Sequence, residues 1–327
     1  MGTLSYAIRR VLLAIPTLLG ITMVTFAIIC AAPGDPAQLQ AAEAMKPEQS
    51  ARIVAELRKR FHLDKPIPVR YALWMRDVIS GDLGKSMADD QPVVRKIGEA
   101  MWPTISVNLA ALAVSFVLAI PLGVWSAWRQ NGWIDRGSGV VLYALYSIPS
   151  YVGAIVLVLF VSVKWNLLPF RGMHGDGYER LGALGRTADL LRHMALYVVC
   201  SAYGSIAYYA RFLRSNTLEV TRQDYVRTAK AKGLTDGVVL WRHVFRNTLI
   251  PFITLVGLVF PVLISGSVIL EVIFTWPGLG RLFFTSVLQR DYPVIMALNT
   301  ATALLVLAGT LFADLLYVVV DPRVSHG

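Results

Sequence analysis

Cysteine is scarce: Cys30 and Cys200 are the two in 327 residues. Two thiols so far apart build neither a disulfide framework nor a thiolate metal site, and both fall in apolar runs, where a free cysteine packs as a small hydrophobe. Histidine is scarce as well, with five in the chain, and no His-Glu-x-x-His occurs; Gly-x-Ser-x-Gly is missing too. Those absences remove the common zinc-protease and serine-hydrolase signatures. His193 and His243 stand singly near the ends of apolar runs, a placement that suits an interface. One fragment, Gly84-Lys85-Ser86, imitates the end of a phosphate-binding loop, but position 79, where the first glycine belongs, holds Ile79. Charged residues make up only 16% of the chain, and 31 Lys and Arg outnumber 21 Asp and Glu. A nucleic-acid binder would set such a surplus on one soluble face among base-reading or stacking groups. Here the cations lie in short segments between apolar runs, so nucleic acid is excluded as a partner.

What the chain has instead is apolar length. Hydrophobic residues are 55% of it, too many for an ordinary soluble domain. Six windows approach the ~20 residues that cross a bilayer as a helix: 11–32, 102–128, 139–163, 194–213, 248–272 and 294–320. The first outlasts the ~7–15 apolar residues of a secretory signal, so it is expected to be retained as a span. An even number of spans puts both termini on one side. Arg9 and Arg10, then Arg129 and Arg136, then eight cations between Arg211 and Arg246, and finally Arg323, all fall on that side. Short cytoplasmic loops carry the excess of Lys and Arg, so both termini are expected in the cytoplasm. The expected fold is therefore all-α: a polytopic membrane protein with six transmembrane helices.

The chain divides into residues 1–32, a tail and first span; 33–101, a cap outside the membrane; and 102–327, the core bundle. The cap opens on a Pro- and Gly-rich turn at 32–36, and a connection this long needs structure of its own. Ile53, Leu57 and Phe61 recur every four residues, giving an amphipathic helix over 49–61. Tyr71, Leu73, Trp74, Val78 and Ile79 supply further apolar faces. In the third window Ser147, Pro149 and Ser150 mark a broken or kinked helix, open to a packing role or to contact with a translocated solute. The fifth window ends on Glu271, costly in a membrane unless it faces protein or water; Arg281 is the expected partner. Trp276, Pro277 and Gly278 then make a tight turn ahead of a short interfacial helix over 282–288; with Glu271, Ser147, Pro149 and Ser150 they are the candidate gate or path residues. Asp314 in the last window is expected to make an ion pair or hydrogen bond inside the bundle.

The most informative stretch is 211–251, basic and polar between two apolar windows. Tyr225, Ala229 and Gly233 share one helical face, which is expected to admit another protein's backbone closely. Arg227 and Lys230 project elsewhere. Gly233 suits a helix C′ position, and Thr235 or Asp236 can start a second short helix carrying Val238, Trp241 and Phe245.

The order of residues here, Asp224, Tyr225, Val226, Arg227, Thr228, Ala229, Lys230, Ala231, Lys232, Gly233 and Leu234, resembles the cytoplasmic coupling motif of ABC-importer permeases. The Glu and first Ala of its general form are absent. Nearly the whole chain is similar to the B-type permeases of bacterial dipeptide and oligopeptide importers: PGDP at 33–36, GDLGKS at 81–86, SIPSY at 147–151, EVIFTWPGLGRL at 271–282, RDYP at 290–293 and the final DPR. The resemblance implies the type I ABC-importer permease fold in a bacterial inner membrane. It implies half of a translocation path, completed by a homologous C-type permease. It also implies two ATP-binding subunits engaging loop 211–247, an extracytoplasmic substrate-binding protein docking outside, and surrounding membrane lipid. ATP and Mg would be bound by those partners, with no cofactor in this chain and no enzymatic activity of its own. Nickel chelates or glutathione are alternative cargoes on the same architecture. A secondary transporter, the rival class, would favour ionisable residues near the midplane and internal repeats; no clear repeat is visible and the conspicuous acids lie near window ends.

Overall fold

The computed structural model describes residues 3–35, 37–38, 47–264 and 266–320; the side chains of 3–8, 47–50, 254, 256–258, 260–262, 264 and 313–320 fall outside that description. The described residues are all-α, joined by turns and one isolated β-bridge between Lys85 and Pro92. The α-helices of six or more residues are α1 (Thr3–Ala31), α2 (Pro47–Arg60), α3 (Ile67–Ile79), α4 (Val93–Trp128), α5 (Trp133–Ser147), α6 (Ser150–Leu157), α7 (Ala183–Thr221) and α8 (Asp224–Ala231). Then come α9 (Arg246–Ile264), α10 (Val268–Ile273), α11 (Leu279–Gln289) and α12 (Tyr292–Val320).

Among the described residues four helices are long and apolar enough to cross a membrane: Arg9–Ala31 of α1, α4, α7 and Tyr292–Phe312 of α12. The bent pair Trp133–Ser147 and Ser150–Lys164 makes a fifth if it is one span. The remaining expected window, 248–272, falls on α9 and α10, with several of its side chains outside the description. Helix ends overrun the apolar windows. α7 has 39 residues where 194–213 was expected, about 58 Å at 1.5 Å per residue. Hydropathy sees only the part that needs lipid; the helix continues while its backbone is hydrogen-bonded and its face packed.

α4 and α7 form the centre of the bundle. Along α4 the buried positions Thr104, Ala111, Ser115, Ala119, Gly123 and Ala127 are small and spaced close to every four residues, the pattern that lets membrane helices approach closely. Gly123 marks the tightest approach: a Cβ there would stand 2.6 Å from the Ala210 carbonyl oxygen. Pro103 and Pro121 lie within α4 without ending it, as neighbouring helices allow. The cap rests on α1 through α3. The Thr22 and Tyr71 hydroxyls lie 2.9 Å apart, and Phe26, Tyr71 and Trp74 form an aromatic cluster. The expected helices over 49–61 and 282–288 appear as α2 and α11. Pro36, Asp321, Pro322 and Arg323 lie outside the described residues, as does the side chain of Asp314.

Candidate functional site: a broken helix, a polar cavity and a cytoplasmic elbow

Pro149 has no N–H to continue α5, so the helix stops after Ser147 and a new one starts at Ser150. The two axes differ by 93°. Ile148 donates its N–H to the Leu145 carbonyl at 3.1 Å, and the Val152 and Gly153 N–H groups both take the Pro149 carbonyl. That leaves the Ile148 carbonyl, which accepts a 2.7 Å hydrogen bond from the Tyr203 hydroxyl on α7. The break is thus held from outside by one tyrosine.

Against the break lies a cavity of about 490 Å³. Ile148, Pro149 and Ser150 form one wall, Asn108 and Ser115 of α4 a second, Ser201, Tyr203 and Ser205 of α7 a third, and Gly266 and Ser267 close it. Hydroxyls, an amide and apolar groups line it; none of these residues is charged. Such a wall can hydrogen-bond a peptide main chain without selecting a side chain. Ser147 stands exposed beside the cavity, its hydroxyl donating to the Tyr143 carbonyl. Tyr146, which lines this cavity, and Tyr143, both exposed on α5, continue this face. They lead to a second cavity of about 690 Å³ whose walls include Tyr143, Asp135, Arg136, Arg211 and Arg214. There Arg214 grips Asp135 with two bonds of 2.6 and 2.8 Å, while Arg211 sits over the Tyr143 ring at 4.3 Å. Tyr203 and these tyrosines went unnoticed in the sequence; tyrosines inside windows 139–163 and 194–213 were the available signal.

Glu271, Trp276 and Gly278 do not line the cavity. They form a packed block behind it. Glu271 is fully buried and accepts from the Thr104 hydroxyl at 3.0 Å and the Arg281 N–H at 2.9 Å. The expected pairing with the Arg281 guanidinium is corrected: that group donates to the Thr275 carbonyl. Thr104 in turn accepts from the Leu279 N–H at 2.8 Å, and the Trp276 indole donates to the Pro103 carbonyl at 2.9 Å. Pro277 is the one exposed member of the turn. Gly266 joins block to cavity: a Cβ on it would come within 2.5 Å of a Glu271 carboxylate oxygen.

The Gly84-Lys85-Ser86 fragment is fully engaged elsewhere. The Ser86 hydroxyl and the Met87 N–H both donate to buried Asp291, at 2.5 and 2.9 Å. This joint ties the cap to the start of α12. His193, expected at an interface, is buried with its Nδ1 2.9 Å from the Asp189 carbonyl.

At the other end α8 forms an elbow with the π-helical stretch Val239–Phe245. Val226 and Ala229 are buried among Val124, Val239, Leu240 and Val244. The expectation that Ala229 would face a partner's backbone is therefore corrected: its small side chain lets α8 lie down on its own chain. Gly233 does take a left-handed conformation, φ 78°, with open space around it. Thr235 precedes the short helix Asp236–Val238, and its side chain makes no capping bond. The outward face holds Tyr225, Arg227, Lys230, Lys232, Leu234, Val238 and Trp241. Tyr225, Leu234, Val238 and Trp241 among them are large exposed apolar groups. Asp224, Thr228 and Ala231 are exposed as well.

Two family models cover the chain. "Binding-protein-dependent transport system inner membrane component" matches residues 119–326, and the N-terminal model of the same transport-system membrane components matches 3–108. The chain is 39% identical over 323 residues to the oligopeptide transport system permease protein AppB of Bacillus subtilis, covering 98% of this chain and 99% of that one. It is 35% identical over 340 residues to the dipeptide transport system permease protein DppB of Escherichia coli K12, covering 99% of each. It is 34% identical over 323 residues to the glutathione transport system permease protein GsiC of Pectobacterium atrosepticum, again covering 99% of each.

Proposed function

From the premise that the chain belongs to the binding-protein-dependent transport system inner membrane components, and is a multi-pass permease subunit of an ABC importer rather than an enzyme, we propose that it forms half of an import path for peptides. The cavity at the helix break carries this reading, because its uncharged polar walls suit main-chain amides common to every peptide. A homologous permease supplies the other half. Two ATP-binding subunits dock on the face bearing Tyr225, Leu234, Val238 and Trp241, and a substrate-binding protein delivers cargo to the cap over residues 33–101. Both termini lie in the cytoplasm. ATP binding draws the two elbows together, and α7, continuous to the bundle centre, carries that movement to the break. ATP drives the change only by favouring one state over the other. Glutathione, itself a small peptide-like acid and the solute named for one relative, is the second reading. It is favoured by the arginines of the cytoplasmic-end cavity.

The test uses the reconstituted complex. Ser150→Trp and Ser205→Trp fill the cavity and are expected to stop dipeptide uptake while ATP turnover continues. Tyr225→Ala and Trp241→Ala are expected to weaken retention of the ATPase subunits about ten-fold, the loss expected at a well-packed aromatic contact. Uptake of glutathione with exclusion of dipeptides selects the second reading. Normal uptake in both tryptophan variants sinks the path assignment.

A further inference from the structure

A cavity of about 290 Å³ lies where α3 of the cap meets the adjoining ends of α1 and α12. Its lining mixes apolar groups, Phe26 and Cys30 of α1 and Met296 of α12, with the polar side chains of Arg70 and Tyr292. Four further charges border it, and all are engaged. Arg60 and Lys85 both pair with Asp90, Asp77 is held by Arg76, and Asp82 accepts the Gly84 N–H. Arg70 differs. Its guanidinium lies over the Phe26 ring at 5.7 Å, and its Nε–H is enclosed with no hydrogen-bond partner. Among the described residues it makes no ion pair. An enclosed cationic donor left unpaired is costly, and a guanidinium is shaped for bidentate bonds to phosphate or carboxylate oxygens.

The mixed lining, cationic and apolar together, narrows the ligand. A free anion would use Arg70 and leave the apolar groups idle. A phospholipid uses both, with its phosphate on Arg70 and its glycerol and first acyl carbons against Phe26, Cys30 and Met296. The position agrees: the cavity sits at the ends of two helices of membrane-spanning length, which is headgroup level. We propose that this cavity holds the headgroup of one anionic phospholipid, clamped by Arg70. The lipid then wedges the cap onto α1 and α12, beside the joint at which Ser86 and Met87 hold Asp291.

The test is native mass spectrometry of the full-length chain, purified with its accompanying subunits and released from nanodiscs of equimolar phosphatidylglycerol and phosphatidylcholine. The wild type should retain phosphatidylglycerol in preference to phosphatidylcholine. Arg70→Gln should reduce that retention about ten-fold, the effect of losing a charge-assisted hydrogen bond, and Arg70→Lys should restore part of it. Met296→Trp, which fills the apolar part and leaves Arg70 in place, should also reduce it. Equal retention in Arg70→Gln and wild type overturns the proposal. So does displacement of the lipid by millimolar inorganic phosphate, which would make the cavity a small-anion site. If Arg70→Gln does not accumulate, the wild type decides alone. A phosphatidylglycerol with a photoreactive group near its headgroup should crosslink to peptides containing residues 26–30 or 292–296. Crosslinks confined to other helices overturn the assignment.

Discussion

Glu271 shows what a buried carboxylate does when no cation reaches it. It is held by the Thr104 hydroxyl and by the backbone N–H groups of Arg281 and Gly280, and Thr104 extends the chain of bonds to the Leu279 N–H. The backbone donors there follow the turn from Trp276 to Gly280, and the Thr104 hydroxyl comes from α4. Removing the carboxylate strands those donors, at about 1–3 kcal/mol for each buried group left unpaired. Glu271→Ala is therefore expected to lower the thermal midpoint of the purified protein clearly. Gly278→Ala should do so too, since its Cβ would stand 2.5 Å from the Glu271 carboxylate. Arg281→Ala should have a small effect, because the side chain only caps the Thr275 carbonyl. Scanning fluorimetry of the three variants checks this, and an Arg281→Ala loss as large as that of Glu271→Ala would restore the charge pair. The cap has its own acid dependence. Burial opposes ionisation of Asp89, but bonds from Lys96, Ser86 and the Gln91 N–H outweigh it and hold the carboxyl below its usual 3.8. Arg60 does the same for Asp90. A depressed carboxylate contributes stability that is complete above its unfolded value and lost as pH falls through the folded one. Protease resistance of the cap should stay flat between about pH 5 and 8 and decline only in stronger acid. A decline beginning near neutrality counts against these pairs.

At the scale of elements, the break after Ser147 and the elbow at α8 are the two joints on which the proposed mechanism turns. Tyr203→Phe deletes one hydroxyl and frees the Ile148 carbonyl, a net change of about 1 kcal/mol. That is too small to unfold the bundle and large enough to shift a hinge equilibrium about five-fold. The expected outcome is an altered ratio of peptide uptake to ATP turnover at unchanged expression; an unchanged ratio removes Tyr203 from the hinge. How far these joints were legible differs for a physical reason. Pro149 announces a break from sequence because the missing N–H is a property of that residue alone. The size of the bend, and the tyrosine that secures it, depend on α7, more than fifty residues later. Ala229 was legible as a face but not as an inward one. Four-residue spacing fixes which residues point together, whereas Val124, Val239 and Leu240 decide what covers them. Gly233 was fully legible, since a left-handed C′ position depends on local backbone sterics. Four of the six expected spans, and a fifth as a bent pair, appear among the described residues; their ends differ because hydropathy fades along α4 and α7 while their hydrogen bonds and packing continue.

At the scale of the whole molecule, the division between an anion-binding cap and a cation-rich elbow depends on which side each faces. The orientation rests on short-loop charge, and the structure gives it a mechanical consequence. If loop 211–247 is cytoplasmic, so is the cavity lined by Arg211 and Arg214, and the cap with α2 and α3 is outside. Single cysteines can decide the matter in a background with Cys30 and Cys200 replaced by alanine. Asp64 and Asp176 are exposed positions in the cap and in the loop ahead of α7. Asp64→Cys and Asp176→Cys should react in intact cells with an impermeant maleimide. Thr235→Cys and Asp236→Cys, exposed at the elbow, should react only after the membrane is opened. Once opened, Thr235→Cys should lose reactivity again when the ATPase subunits are added in excess, because it lies beside Leu234 and Val238 on the face proposed to dock them. Labelling of Thr235→Cys in intact cells reverses the orientation. Full labelling in the presence of saturating ATPase subunits leaves the orientation intact and removes the elbow from the interface.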